Sequence, residues 1–428
     1  MRIAFVSPLP PAPTGIADYA VDVVALLAPR HSIELFHDQE QVDRDRLPPA
    51  YRLFSAGELL LRHAAQPYDA IVYQMGNGPS HGFLYPLLAR LPGVLVLHDL
   101  VLHHARARMF LDAPEARAYA ADPTSATRRA AALRPLGQYA AELQYAYPSA
   151  AERIADVHLA TVGTLLPYAY PLFRIPVEVS RVTAVHNDFM AAAIREEVPE
   201  ATVVRIPMPI ETATPSAEAV AALRRRYSLG PDAFVAAAFG LLTPEKGIAT
   251  VANAVGRAAA SLARLRLLLV GPVADRRALD AALERAGIAE RTVVTGRVPF
   301  DELPAHLALA DVAVHLRYPT ARETSAALLR LLAQGRPTVM SDLEHLADVP
   351  DDAVVRADPS DEEGDVVRAI LRLAERPEAR RRLGERASAF VRSEHSPARA
   401  LEGYEAAFQT ARRRQPSVPR GLPAHWAV

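Results

Sequence analysis

Twice along this chain, short apolar runs alternate with longer amphipathic stretches, and that rhythm limits the fold more than any other feature. In the first half the runs are residues 2–6, 32–36, 70–73, 94–97, 182–185 and 203–206. The series restarts at 234–239, 265–270, 292–295, 312–316, 338–340 and 353–356. Runs this short and this apolar read as strands buried on both faces, with the stretches between them as covering helices. Each half is therefore expected to form a doubly wound α/β sheet. A length of 428 residues also exceeds what one core supports.

The boundary is expected in the Pro-punctuated, extended segment Ile206-Pro207-Met208-Pro209-Ile210. That gives a first domain over 1–207, a second over 208–395, and a final helix with its tail over 396–428. Residues 101–155 break the alternation and read as a helical insertion in the first domain. The last helix is expected over 397–411, with Ser396 as cap and Pro397 at the first helical position. The Arg- and Pro-rich tail after it is expected to fray.

Composition excludes several classes. A formal net charge of −1 argues against a general nucleic-acid binder. No apolar run reaches the ~18 residues of a membrane span. The first strand breaks at once into Pro and Gly, which does not read as a signal peptide. Absence of Cys removes disulfides, thiolate nucleophiles and Cys-based metal sites. A cytoplasmic location is the simplest fit. Oligomeric state is not readable from the sequence.

Among 48 basic residues there is one lysine, Lys246, in Phe239-Gly240-Leu241-Leu242-Thr243-Pro244-Glu245-Lys246-Gly247. Lysine is a compact point charge and arginine a planar fork. A phosphate beside a tight glycine turn suits the compact charge. In the first half, Gly15 precedes a helix, where backbone amides can approach an anion. No G-x-G-x-x-G is present, so a dinucleotide fingerprint is missing. His98 and Asp99 end the fourth run, which points them toward the ligand edge of such a sheet. Asn77 and His81 follow the third run to the same edge. A metal site from His98, Asp99 and His103 lacks any supporting Cys or H-E-x-x-H pattern. In the second half, Arg317 to Ser325 lead into a helix that Gly335 ends. That block sits where a phosphorylated ligand would bind, although Thr324 or Ser325 also serves as a helix cap.

Taken together, Gly240 with Lys246-Gly247, the 310–315 strand, Glu323 and Gly335-Arg336-Pro337 resemble retaining glycosyltransferases of family 4. The resemblance implies the GT-B fold, two Rossmann-like doubly wound domains facing across a cleft. It implies transfer of a sugar from a nucleotide-diphosphate sugar to a small-molecule, glycan or lipid-linked acceptor, with retention and with no metal or other cofactor. The residues implied as catalytic are His98, Lys246 and Glu323. Those implied at the donor are Gly15, Gly240, Lys246, Arg297, Val298, Arg322, Glu323, Thr324 and Ser325. Asn77, His81 and Asp99 fall on the acceptor side.

Three positions depart from the family pattern. Leu241 stands where Arg often follows the glycine of the first loop. Arg322 and Arg330 stand where two Glu residues eight apart are usual, with Glu323 one step late. A guanidinium has no acceptor for ribose hydroxyls. Leu241 cannot bond a phosphate, and Arg322 or Arg317 is expected to do so in its place. The other reading is a catalytically impaired GT-B protein that binds a nucleotide or a protein partner.

Overall fold

The computed structural model describes residues 1–48, 50–159, 165–211, 213–415 and 419–426. The chain divides into two compact units. The first holds Met1–Pro209, Ala321–Thr324 and Ala398–Val428; the second holds Ile210–Thr320 and Ser325–Pro397.

The first unit contains β1 (Arg2–Val6), β2 (Ser32–His37), β3 (Arg52–Ser55), β4 (Ala70–Met75), β5 (Val94–Leu97), β6 (Val182–Val185) and β7 (Val203–Arg205). They form one sheet in the order β3-β2-β1-β4-β5-β6-β7. Every neighbouring pair is parallel. The second unit contains β8 (Phe234–Phe239), β9 (Leu265–Val270), β10 (Thr292–Val294), β11 (Val312–His315), β12 (Thr338–Ser341) and β13 (Val355–Ala357). Their order is β10-β9-β8-β11-β12-β13, again all parallel. All six residues of β4 and all six of β8 are buried, as central strands covered on both faces require.

The two sheets share one winding. Each chain half moves outward over three strands, then returns to the other side of its first strand. Helices on either side of that reversal leave a crevice at the carboxyl ends of the two central strands. In the first unit that crevice lies between β1 and β4, and in the second between β8 and β11. Twelve strands follow the sequence reading. The edge strand β3 escaped it, because Arg-Leu-Phe-Ser is four residues long, pairs with β2 alone and buries none of its residues fully.

Between β5 and β6 stand helices including His103–Leu111, Pro114–Ala121, Ala126–Ala146 and Ala151–Leu159. Phe110, Tyr139, Leu143, Ile154 and Leu172 give this region its own apolar cluster. It encloses a charge pair, Arg106 and Glu142, each no more than 3% exposed. Burial pushes the Glu142 carboxyl up, but Arg106 and bonds from His425 and Trp426 hold it down at about 2.

Two chain ends show how local chemistry sets structure. The helix Ala326–Ala333 stops at Gly335, whose N–H returns to the Leu332 carbonyl while that of Arg336 returns to Leu331. That double return satisfies two orphan carbonyls. The last helix runs Pro397–Arg413. Beyond it the expected fraying fails at Trp426, which is 4% exposed and donates its indole N–H to Glu142 at 2.7 Å. The apolar ring and its polar tip both find partners, which outweighs the flexibility of the Pro-rich approach. Tail residues 416–418 and 427–428 lie outside the described residues.

Candidate functional site

In the second unit the crevice is lined by glycine turns and positive charge. Gly240 follows β8 with φ +100, and its N–H donates to the Val270 carbonyl at 2.9 Å. A Cβ on Gly240 would lie 2.3 Å from the Lys246 Nζ. The lysine folds over that gap and donates to the Phe239 carbonyl at 3.0 Å. Glycine is favoured here by the backbone angle, and it leaves open the space the ammonium fills. Gly271 follows β9 with φ +137, and a Cβ there would strike the Gly240 carbonyl oxygen at 2.1 Å. Its N–H reaches the Gly296 carbonyl at 3.0 Å, joining a third turn that leads to Arg297 and Val298. Arg297 is exposed, while Val298 packs on the core.

Gly247 then caps the helix Ile248–Ala259 without any side-chain bond. The first amides of that twelve-residue helix are thus left for water or an anion. Across the crevice β11 ends in His315, which is 5% exposed. Burial, then the charges of Arg317, Lys246 and His345, push its imidazole well below the usual range. It is neutral, and the arginine and lysine charges acting on it mark where positive potential gathers. Arg317 itself is held by its backbone N–H, which donates to Ser341 Oγ at 3.0 Å. Ser325 is occupied as a cap, accepting from the Leu328 N–H at 3.3 Å. Arg330 stacks its guanidinium 5.0 Å from the Phe300 ring.

In the first unit the equivalent crevice is filled by neutral groups bonded to each other. The His186 Nδ1 lies 2.8 Å from the Ile206 carbonyl, which only accepts, so this nitrogen carries the proton. Its Nε2 must then accept from the His98 Nδ1 at 3.2 Å. The His98 Nε2 is left as an acceptor, 2.8 Å from the atom placed as the Gln74 side-chain oxygen, which also only accepts. With both histidines neutral, the amide's oxygen and nitrogen exchange places, so that its NH₂ donates to His98 and its oxygen faces the Tyr404 hydroxyl. Burial, then His186 and His81, hold the His98 imidazole well below the ordinary range, in keeping with neutrality. Gln74 continues to the Tyr404 hydroxyl at 3.4 Å, and Tyr404 to Tyr19 at 2.7 Å. The Tyr19 ring meets His98 edge-on at 4.7 Å.

The acceptor-side residues brace the same edge. The Asn77 N–H donates to Asp99 at 2.7 Å, and the Asn77 side-chain oxygen accepts from Ala105 at 3.0 Å. His81 donates through Nδ1 to the Gln74 carbonyl at 3.0 Å. Burial lowers its pKa to about 4. Thr14 accepts from the Ile16 N–H at 3.3 Å, and a Cβ on Gly15 would meet nothing within 4 Å. His103 lies 2.6 Å from both the Tyr170 carbonyl and the Tyr139 hydroxyl, one on each ring nitrogen, so neither is left for an ion shared with His98. Among the described residues no group of three His, Asp or Glu stands placed to hold a metal.

Ala321–Thr324 is part of the first unit. The Asn187 amide donates to the Arg322 carbonyl at 3.2 Å and to Thr324 Oγ1 at 3.1 Å. Arg322 has φ +63, and its guanidinium lies 5.3 Å from the Phe189 ring. Glu323 sits between them, half-buried.

Gln74, His186, Gly271 and His315 were not singled out by sequence. His315 had the signal that marked His98, a histidine closing an apolar run. Gly271 had Gly-Pro immediately after one. His186 had the histidine signal too, directly after the 182–185 run, whereas Gln74 carried no signal, since the contact that joins it to His98 is between strands.

Residues 233–376 match the family described as Glycosyl transferases group 1. The GDP-mannose-dependent alpha-(1-6)-phosphatidylinositol monomannoside mannosyltransferase of Mycolicibacterium smegmatis is 31% identical over 163 residues, 37% of this chain and 42% of that relative. The Mycobacterium tuberculosis protein of that name is 30% identical over the same shares. The chain thus spans about two fifths of the length of the curated relatives it matches. Anabaena HepE in complex with UDP superposes with a TM-score of 0.66 at 14% identity, covering 96% of this chain and 100% of that one. Sucrose-phosphate synthase from Thermosynechococcus elongatus gives 0.66 at 17%, covering 95% and 98%. WaaG, a glycosyltransferase involved in lipopolysaccharide biosynthesis, gives 0.61 at 13%, covering 95% and 98%. The chain has the GT-B fold, and its second half carries a match to the glycosyl transferases of group 1.

Proposed function

We propose that this protein is a family 4 glycosyltransferase that moves a sugar from a nucleotide-diphosphate sugar to an acceptor hydroxyl, with retention and without a metal. The observation that carries the reading is Lys246 folded over Gly240 at the carboxyl end of β8. An ammonium beside an uncapped helix start and Arg317 suits the charge of a departing diphosphate. The group 1 match supports it, because 233–376 includes these loops. In the proposed step the bond from the anomeric carbon to the phosphate oxygen breaks. The acceptor oxygen bonds to that carbon on the same face, and its proton passes to the departing phosphate.

The donor falls to the second domain, 208–395, through Gly240, Lys246, Arg297, Val298 and Ser325. Gly15, Arg322, Glu323 and Thr324 complete the donor set, with Glu323 holding sugar hydroxyls. The first domain, 1–207, takes the acceptor with Asn77, His81 and Asp99. His98 acts as part of the bonded set around Gln74 rather than through a free ring nitrogen. The protein works in the cytoplasm.

A second reading, a nucleotide-binding GT-B protein without turnover, draws on Arg330 lying against Phe300 in place of a hydroxyl-accepting carboxylate. One experiment separates the two. The relatives' names and titles carry GDP-mannose and UDP, so thermal stabilisation is measured across GDP- and UDP-sugars. Release of free nucleoside diphosphate on adding acceptors follows. Stabilisation with release supports the transferase; stabilisation without release from any acceptor supports the binder.

A further inference from the structure

We propose a second, anion-binding site on the first unit, at the amino edge of its sheet, built to take a phosphate group. A cavity of about 200 Å³ opens where β4, β5 and β6 begin. Ligands of doubly wound sheets bind at the opposite, carboxyl edge, so this cavity is separate from the crevice at β1 and β4. Its volume falls below the ~300 Å³ at which pockets for larger organic ligands begin, which fits a small ion.

Three donor groups from three chain segments line it. Arg181, just before β6, gives one terminal N–H to the Ala411 carbonyl at 3.3 Å. Its Nε is buried with no acceptor. The residue lines the cavity, and an anion there would balance the guanidinium charge. Arg90 closes the helix Leu84–Arg90, and its side chain makes no hydrogen bond or ion pair among the described residues. His63 is the third. Its Nδ1 accepts from the Tyr68 N–H at 3.2 Å. Burial, then Arg181 and Arg2, lower its pKa, so the ring is neutral and its proton sits on Nε2.

The lining carboxylate does not cancel this charge. Asp69 accepts from the Arg2 N–H at 2.8 Å and stands 3.6 Å from Arg412. The floor is apolar, from Ile71 and Leu91. A carboxylate has two oxygens for the three donor groups that line the cavity. A phosphate has enough, and guanidinium forks match it in two-point fashion. The shared chemistry is therefore inorganic phosphate or the phosphate end of a small monoester.

The test is calorimetric titration of the full chain with inorganic phosphate, at ionic strength held constant with chloride. The expected result is saturable binding that weakens about tenfold or more in both Arg90→Gln and Arg181→Gln, and persists in Lys246→Ala. Arg90 is exposed, so its variant keeps the fold even if the Arg181 variant does not. Repeating the titration with glycerol phosphate separates the sources: tighter binding assigns a monoester resting on Ile71 and Leu91, equal or weaker binding the free ion. No saturable binding, or binding unchanged in Arg90→Gln, overturns the site. Abolished binding in Lys246→Ala also overturns it and returns the phosphate to the β8 crevice.

Discussion

Two sheets with one winding order carry opposite chemistry at the same place. In the second, the crevice beside β8 gathers positive charge: a lysine over a glycine, an uncapped helix start, an arginine held by its backbone. In the first, the crevice beside β1 and β4 is closed by His98, His186, Gln74, Tyr19 and Tyr404, each bonded to another. Topology sets where a ligand can go. Whether the polar groups there are cationic or neutral decides what kind of ligand it is.

The largest test of that contrast is Lys246→Ala. Kinetic measurement of kcat/KM is expected to show a loss of about 100- to 1,000-fold, the scale for removing one charge-stabilising group. Lys246→Arg should recover only part, since a planar fork does not fit the space over Gly240. Near-normal turnover in the alanine variant would leave the second crevice without its distinguishing feature. Gly271→Ala comes next. Strain at its φ of +137 and the collision with the Gly240 carbonyl are expected to cost at least about 1–3 kcal/mol in urea unfolding. A neutral effect would show that the glycine ledge is slack.

On the first sheet, Gln74→Leu leaves His98 and Tyr404 short of partners and is expected to cost about 1–3 kcal/mol. Gln74→Glu is the sharper probe. A carboxylate can only accept, so it calls for a proton on the His98 Nε2 and should raise the His98 pKa by NMR titration. An unmoved resonance would mean the two side chains do not share a proton.

The smallest effect is a pH slope. His81 and His98 titrate lower when folded than when unfolded, so the unfolded chain binds more protons below the ordinary His range. Their contribution is full above about pH 6.5 and falls as pH drops toward the folded values, by at most about 1.4 kcal/mol per unit for each group. Unfolding midpoints at about pH 7.5 and 5.5 measure it, and His81→Asn should flatten the slope. His315 adds to the slope from the second unit, so removing His81 alone reduces rather than abolishes it.

How much could be read in advance follows the same division. Runs of buried apolar residues are visible one at a time, which is why β1, β5, β6, β8 and β9 fall where the pattern places them. Lys246 and Gly240 are six residues apart, close enough for spacing to suggest the turn. Gln74 and His186 are linked to His98 only through pairing of neighbouring strands; His186 closes the 182–185 run as His98 closes its own, but nothing local marks Gln74 or the contact itself. The tail misled for a related reason. Its Pro and Arg content argues for disorder, while the contact that orders Trp426 is a carboxylate 284 positions away in sequence.

That contact has an optical consequence. Trp426 is the chain's single tryptophan. Its indole stands against the Arg106 guanidinium and hydrogen-bonds Glu142, both groups able to quench or shift emission. Intrinsic fluorescence excited at the indole band will therefore report the docking of the carboxyl terminus on the first unit, with no label added. The second unit, where the proposed donor binds, contributes no such signal. A fluorescence trace and a circular dichroism trace recorded on one unfolding sample will separate the melting of the first unit from that of the whole chain.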